Sequence, residues 1–461
     1  MHRFRHVSVV LLVAMMLFGA AMPVSAAVPL EEVRLSDVAF GAGRFVAVGN
    51  EGRVFTSVDG REWIPQDIGV EGDIFSIVYQ DGLFVASTYD WGTGVNPGML
   101  LTSEDGITWN RTRVYATALD IAGGGGTWVA TLTDGRLMWS ADGRTWQQAT
   151  QDDPWQTAFR NGLSALVYDR GGFRGVDMYG RIHRFQDGVV EPVGKMQVPG
   201  TDETRPETWV TVQDALQLDG RVYAVAFRPS DVNTYVFREP EDPGQPWDQI
   251  AALPGRYFQI RHIGGRLWAY GFGSGIITSE DGVSWTRVKT PNMRIVGLAY
   301  GNGAYVAVDR TGVILRSADG ATWEAVRTEP DQVLYTPVAA QPSAFKVRLD
   351  GLEIPPQTLQ VLVADGRSLL PVRRLAELLG AEVVWHESLS VVEIRRGSQA
   401  ILLPVNSDVA TLVLDDSSVA LDVPAIIHEG RTYAPVRFVA EALGLRVDFD
   451  QAGGTIILTS R

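Results

Sequence analysis

The side chains with which this chain could do chemistry are carboxylates, arginines and a few histidines. The sequence holds 54 acidic residues, 40 Lys and Arg, six His and no Cys. Two carboxylates about 5–10 Å apart could cleave a glycosidic bond as acid and base or nucleophile. The histidines beyond residue 26 form no His-x-His pair and no His-Glu-x-x-His motif; they are His183, His262, His386 and His428. The residues therefore predict no metal and no cofactor, and they leave glycoside hydrolysis as the reaction to consider.

The overall charge and the missing cysteine exclude several classes of protein. The formal net charge is −14 over 461 residues, which argues against a nucleic-acid backbone or an anionic membrane as the main partner. Without cysteine there is no disulfide, no thiolate zinc site and no cysteine nucleophile. Apolar residues make up 45% of the chain, enough for packed domains.

The first 26 residues have the pattern of a signal peptide. Arg3 and Arg5 precede an apolar run, Val7–Ala21, and Val24-Ser25-Ala26 offers a small-residue cleavage site. The run is short for a membrane span, which needs about 20 residues. We therefore expect residues 1–26 to be removed and the product to be secreted, extracellular or associated with the cell wall. A retained N-terminal anchor is the alternative.

A Ser-x-Asp-Gly-x-x-Trp box recurs along the chain and sets the positions of the elements. The serine-to-serine spacings are 46, 37, 139 and 38 residues along the chain, and the gap of 139 residues leaves room for two decayed copies, near Asp187-Gly188 and Trp247. The total is seven units. The five complete boxes contain Ser57, Asp59 and Trp63; Ser103, Asp105 and Trp109; Ser140, Asp142 and Trp146; Ser279, Asp281 and Trp285; and Ser317, Asp319 and Trp323.

Each unit is a series of short β-rich runs separated by glycine turns. In the last unit, Ile295–Tyr300, Tyr305–Val308 and Val313–Arg316 precede the box, and Trp323–Val326 follows it. Four strands per unit at a period near forty predict propeller blades. Residues 33–328 are thus predicted to form an all-β, seven-bladed propeller.

The box itself has a structural explanation. Its Asp can accept hydrogen bonds from backbone N–H groups downstream, its Gly can adopt φ > 0, and its Trp can pack between blades. These residues resemble the Asp-box (BNR) repeats of sialidase-like, exported propellers. The resemblance implies that the boxes are structural and lie away from any catalytic centre.

The composition changes after a linker at residues 329–344, and a second duplication begins. Asp365-Gly366-Arg367 through Gly380 recurs as Glu429-Gly430-Arg431 through Gly444. Pro near the start and Gly past the end frame a short helix in each copy, with strands after it. An i, i+4 pair, Arg373 with Glu377, is expected to support the first helix. Residues 345–461 are therefore predicted to be a small α+β domain of two similar halves.

This duplicated pattern closely resembles the copper amine oxidase-like N-terminal domain, or stalk domain. In the amine oxidases this module is an appendage, and copper belongs to a catalytic domain that is missing here. The resemblance therefore implies no copper chemistry. It implies a spacer or attachment module on a protein of the cell envelope.

Candidate ligand-binding residues lie in enlarged loops on one rim of the propeller. If the box joins the third and fourth strands, these loops lie on the opposite rim, where binding sites on rigid scaffolds usually occur. The alternative is that they are tolerated insertions. The candidates combine flat aromatic rings with hydrogen-bonding groups: Tyr89, Asp90, Trp91, Asn96, Arg205, Trp209 and Arg228.

Two functions follow as hypotheses. The favoured one is a non-catalytic secreted or cell-envelope protein, whose propeller binds a cell-wall polymer, a glycan or another exported protein. The alternative is a sialidase-like glycoside hydrolase that uses acids near the propeller axis.

Overall fold

The structure is a computed structural model. It describes residues 33–89, 98–114, 116–151, 163–169, 171–177, 180–198, 210–228, 233–242, 244–271, 275–290, 294–327, 340–397, 399–405, 409–412 and 417–460. Within these residues no helix is long and apolar enough to cross a membrane.

Seven sheets succeed one another along the chain and form the blades of a propeller, as the repeats predict. Blade 1 contains β1 (Leu35–Gly41), β2 (Arg44–Gly49), β3 (Val54–Ser57) and β4 (Ile64–Gln66). Blade 2 contains β5 (Asp73–Gln80), β6 (Leu83–Tyr89), β7 (Met99–Ser103) and β8 (Asn110–Arg113). Blade 3 contains β9 (Ala118–Gly124), β10 (Thr127–Leu132), β11 (Leu137–Ser140) and β12 (Gln147–Gln148).

Blade 4 has a fifth strand, because the chain leaving blade 3 adds one to its edge. This blade contains β13 (Thr150–Gln151), β14 (Leu163–Asp169), β15 (Gly172–Asp177), β16 (Arg181–Gln186) and β17 (Val189–Lys195), with β13 parallel to β17. Blade 5 contains β18 (Thr211–Leu218), β19 (Arg221–Phe227), β20 (Asn233–Arg238) and β21 (Asp248–Pro254). Blade 6 contains β22 (Gln259–Ile263), β23 (Arg266–Gly271), β24 (Gly275–Ser279) and β25 (Thr286–Val288). Blade 7 contains β26 (Ile295–Gly301), β27 (Ala304–Asp309), β28 (Ile314–Ser317) and β29 (Glu324–Arg327).

Within the described residues, blades 7 and 1 meet through side-chain contacts, and no strand is exchanged between them. Gly301, at the end of β26, lies so close to the ring of Phe40 in β1 that no Cβ would fit. Asn302 donates hydrogen bonds to the carbonyls of Gly43 (3.0 Å) and Val58 (2.8 Å). Blades 1 and 7 also share an apolar core that contains Phe45 and Val306.

Each of the five complete boxes is a hydrogen-bonded turn between the third and fourth strands of its blade. In the last box, Asp319 Oδ1 accepts the backbone N–H groups of Ala321 (2.8 Å) and Thr322 (2.7 Å). Ser317 donates its hydroxyl to Asp319 (2.9 Å), and the Trp323 indole N–H donates to the Gly320 carbonyl (3.1 Å). The box therefore ties together the groups of its own turn.

The box glycine also sets the distance between blades. All five box glycines have φ between +71° and +75°. A Cβ at Gly60 would come within 2.7 Å of Val306 on blade 7, and one at Gly106 within 2.6 Å of Val46 on blade 1. Glycine is therefore required twice, for the backbone conformation and for contact with the preceding blade.

The C-terminal region is a separate α+β unit with three sheets and two short helices, as the duplication predicts. The first half supplies β30 (Gln341–Pro342), β31 (Lys346–Leu349), β32 (Leu352–Ile354), β33 (Leu362–Ala364), β34 (Arg367–Pro371), α1 (Val372–Leu378), β35 (Glu382–His386), β36 (Val391–Arg396) and β37 (Gln399–Pro404). The second half supplies β38 (Val409–Leu412), β39 (Ser417–Ala420), β40 (Ile426–His428), β41 (Arg431–Pro435), α2 (Val436–Ala442), β42 (Leu445–Asp450) and β43 (Thr455–Ser460). Single 3₁₀ turns occur at Asn50–Gly52 and Glu387–Leu389.

The two halves meet at equivalent residues. β34 pairs antiparallel with β41, and Leu370 lies opposite Ala434, its counterpart in the duplicated sequence. Both helices cover one core through residues such as Leu375 and Val439. The ion pair expected in α1 between Arg373 and Glu377 is not formed, however. Glu377 pairs with Arg374 instead, at 2.9 Å.

The C-terminal unit packs against blades 5 and 6. Leu389 and Leu402 join an apolar cluster with Leu253 and Trp285 of the propeller. The Arg287 guanidinium, on the outer strand of blade 6, donates to the backbone carbonyls of Leu389 (2.8 Å) and Ser390 (3.1 Å). This contact fixes the unit on the side of the propeller.

Candidate functional site

Three carboxylates join neighbouring blades near the propeller axis. Asp37, Asp120 and Asp214 occupy equivalent positions near the start of the innermost strands of blades 1, 3 and 5. The other four blades carry small or neutral residues at this position: Ser76, Ala165, Gln259 and Gly297. Because each box follows the end of a third strand, which runs parallel to the innermost strand, the three acids lie toward the face opposite the boxes.

Both oxygens of each carboxylate accept backbone hydrogen bonds. One oxygen accepts the N–H of the following residue at 2.8–2.9 Å, and the other accepts an N–H from the next blade. The three contacts between blades run from Ile77 to Asp37 (3.1 Å), from Leu166 to Asp120 (2.7 Å) and from Ile260 to Asp214 (3.0 Å). We call these three contacts the axial staples; they join blades 1 and 2, 3 and 4, and 5 and 6.

Tyr270 makes the corresponding contact between blades 6 and 7. Its hydroxyl hydrogen-bonds to the backbone N–H of Leu298, the residue of blade 7 equivalent to Val38. The side chain is fully buried, and burial raises the pKa of its hydroxyl. A neutral hydroxyl thus replaces a carboxylate at this junction.

One arginine lies among the staples. Arg261, on the innermost strand of blade 6, forms an ion pair with Asp214 and donates to the carbonyl of Ile260 (2.9 Å). Its side chain is 38% exposed, whereas that of Asp214 is 11% exposed. Solvent therefore reaches part of the Arg261 side chain, whose guanidinium N–H groups can offer donors to an anionic or carbonyl group.

Burial and the repulsion between the acids raise the pKa values of the staple carboxylates. Burial raises the pKa of Asp37 to about 6, while the N–H of Ile77 and the charge of Arg261 oppose the shift. Burial, reinforced by the charge of Asp214, raises the pKa of Asp120 to about 7. Burial also raises the pKa of Asp214 although Arg261 opposes it. These acids thus gain protons more readily than ordinary carboxylates.

The structure describes two of the seven rim residues predicted from the sequence. Tyr89 ends β6 of blade 2 and is half-buried, and Arg228 follows β19 of blade 5. The Arg228 guanidinium lies 4.6 Å from the ring centre of Tyr235 and donates to Gln249 at 3.4 Å, so it is held on its own blade. Three blade junctions separate Tyr89 from Arg228. The other five lie outside the described residues: Asp90, Trp91, Asn96, Arg205 and Trp209.

The sequence analysis missed the axial staples, although a signal for them exists. Aligning the innermost strands on their bulges would have placed Asp37, Asp120 and Asp214 in one column. Within the described residues, no three His, Cys, Asp or Glu side chains are grouped closely enough to hold a metal ion.

Comparison with known families supports the same two-part organisation. Residues 348–458 match the family model described as the copper amine oxidase N-terminal domain, and residues 201–341 match that of the DUF6242 β-propeller domain. The chain therefore combines a β-propeller with a copper amine oxidase N-terminal domain. No curated protein matches the sequence.

Several solved structures are similar to this chain in fold. YCF48 bound to D1 peptide is 17% identical, with a TM-score of 0.45 over 62% of this chain and 93% of that one. YCF48 from Cyanidioschyzon merolae is 13% identical, with a TM-score of 0.44 over 62% and 95%. A GH74 enzyme of Niastella koreensis is 12% identical, with a TM-score of 0.47 over 93% and 70%.

Proposed function

We propose that this protein is a non-catalytic binding scaffold of the cell exterior. The propeller presents the face opposite the boxes to a ligand, and the C-terminal unit spaces or attaches it at the envelope. The observation that carries the proposal is that the axial carboxylates are hydrogen-bonded to backbone N–H groups. Each of the three accepts backbone hydrogen bonds on both oxygens, so its geometry suits a structural role.

The binding surface is centred on Arg261. The Arg261 side chain is partly exposed on an axis where the neighbouring acids are held by backbone N–H groups. A cell-wall polymer, a glycan or another exported protein carrying an anionic or carbonyl group would complete its hydrogen bonds. Tyr89 and Arg228, which lie at strand ends on the same face, would add contacts around this centre.

Glycoside hydrolysis is a second candidate, and one observation favours it. The pKa of Asp120 is raised to about 7, which is the range that suits a general acid at neutral pH. In a glycosidase, Asp120 would have to break its hydrogen bond with the N–H of Leu166. A general acid must reach the glycosidic oxygen.

Two assays separate the candidates. The full chain is applied to a glycan array and incubated with a panel of chromogenic glycosides. The scaffold hypothesis predicts specific binding without turnover. Turnover that disappears in Asp120→Asn would instead establish the hydrolase. The location is tested by N-terminal sequencing of the protein from the culture medium, where a start at residue 27 is expected.

A further inference from the structure

The C-terminal unit contains a groove of about 490 Å³ that both halves of the duplication build. Helix α1 and strand β35 supply one side, and the turn between β40 and β41 supplies the other. The floor is apolar, formed by Pro371, Val372 and Val392, and the indole of Trp385 forms a wall.

The edge of this groove is cationic. Arg373, Arg374 and Arg431 line it together with a single acid, Glu377. Glu377 neutralises Arg374 at 2.9 Å. No ion pair in the described part of the chain involves Arg373 or Arg431; Arg373 makes one long hydrogen bond, 3.4 Å, to the Val383 carbonyl. A positive edge on a chain of net charge −14 points to an anionic occupant.

The second half of the duplication differs at the equivalent positions. Phe449 stands where the first half has Trp385, and its ring meets that of Phe345 edge-on, at a ring distance of 5.4 Å and an interplanar angle of 85°. Among the described residues no aromatic ring stacks on Trp385. Arg374 likewise stands where the second half has Phe438. The first half therefore combines an indole with a charged side chain where the second half has two phenylalanines.

We propose that this groove binds an anionic sugar residue of a polysaccharide. The sugar ring packs on the Trp385 indole and the apolar floor, and its carboxylate accepts hydrogen bonds from Arg373 and Arg431. An acidic peptide could use the arginines, but its short carboxylate side chains would leave the flat indole unused. An aromatic wall beside two guanidinium groups that line the same groove matches a uronic acid in both shape and charge.

Calorimetric titration of the full chain with trigalacturonic acid tests this site. The variants are Arg373→Ala combined with Arg431→Ala, and Trp385→Phe, which keeps most of the packing. Arg437→Ala is the matched control, because Arg437 is the counterpart of Arg373 in the other half. We expect the double variant to weaken binding by about tenfold or more, since each lost charge-assisted hydrogen bond is worth roughly that factor.

Other ligands define the outcomes that would overturn the proposal. Neutral galactotriose is expected to bind at least about tenfold more weakly, because it lacks the charge that pairs with arginine. Equal affinity for a pentaglutamate peptide would contradict a sugar site. Undetectable binding of trigalacturonic acid at millimolar concentration, or equal losses in the double variant and in Arg437→Ala, would refute it.

Discussion

Arg287 of the propeller donates a hydrogen bond of 2.8 Å to the backbone carbonyl of Leu389 in the C-terminal unit. The two residues are 102 positions apart, and the same guanidinium reaches Ser390. Burial lowers the pKa of Arg287, which indicates how far the contact is withdrawn from solvent. The contact thus holds the propeller and the C-terminal unit in a defined relative orientation.

Loss of this contact should make the propeller and the C-terminal unit unfold separately. Arg287→Ala leaves two carbonyls without their donor, and we expect it to lower the free energy of unfolding by about 1–3 kcal/mol. Calorimetry should then resolve two transitions where the wild type has more cooperative unfolding. Arg266→Ala, which removes only an exposed ion pair with Glu280, is the control and should cost about 0–1 kcal/mol. Similar thermograms for both variants would contradict a stabilising interface.

The box tryptophans should differ in their contribution to stability. Trp323 is 8% exposed and lies near Trp268 of blade 6 and Tyr305, so Trp323→Ala should cost about 3–5 kcal/mol. Trp109 is half-buried and its indole nitrogen makes no hydrogen bond in the described part of the chain, so Trp109→Ala should cost less. Urea unfolding at equilibrium measures both. A larger loss for Trp109 would contradict this packing argument.

The box aspartates should make the protein sensitive to acid. Backbone N–H groups, that of Ser284 first, lower the pKa of Asp281 from 3.8 to about 2. A carboxylate whose pKa is lower in the folded state contributes stability above pH 4, and this contribution is lost as the pH falls toward 2. Asp281→Asn should therefore show a shallower loss of melting temperature between pH 4 and pH 2. A slope unchanged from the wild type would contradict the hydrogen-bonding pattern.

The axial carboxylates should have the opposite effect on stability and favour the folded protein at low pH. Burial raises the pKa of Asp120 to about 7 in the folded state, so the folded protein binds a proton that the unfolded chain releases near pH 4. The stability contributed by this group is complete below pH 4 and decreases as the pH rises through 7. Asp120→Asn should flatten that decrease. Melting curves recorded from pH 4 to pH 8 provide the test, and an equally steep decrease in the variant would contradict it.

The sequence predicted the local features of this fold better than its long-range contacts. The boxes predicted seven blades because the turn chemistry of Ser317, Asp319 and Trp323 is contained within a few residues. Arg287 and Leu389 have no local signature, since their contact depends on how two finished domains pack. The role of Asp37 could not be predicted from the sequence either, because it depends on a backbone N–H group of the next blade.

The candidate site was predicted only in outline. The rim opposite the boxes contains the axial Arg261, which the sequence analysis did not single out because a lone arginine on a strand has no motif. Tyr89 ends β6 and Arg228 follows β19, so the two lie on separate blades. The groove around Trp385 was missed because it joins the helix of one half to the turn of the other.

The most direct test of the account compares Arg261→Ala and Trp109→Ala in one binding assay, using whichever glycan or wall polymer the array identifies. The scaffold hypothesis predicts that Arg261→Ala weakens binding by about tenfold or more, the loss of a charge-assisted hydrogen bond, while Trp109→Ala lowers the melting temperature and leaves affinity unchanged. Unchanged affinity in Arg261→Ala, or conversion of the bound ligand into product by the wild type, would contradict it.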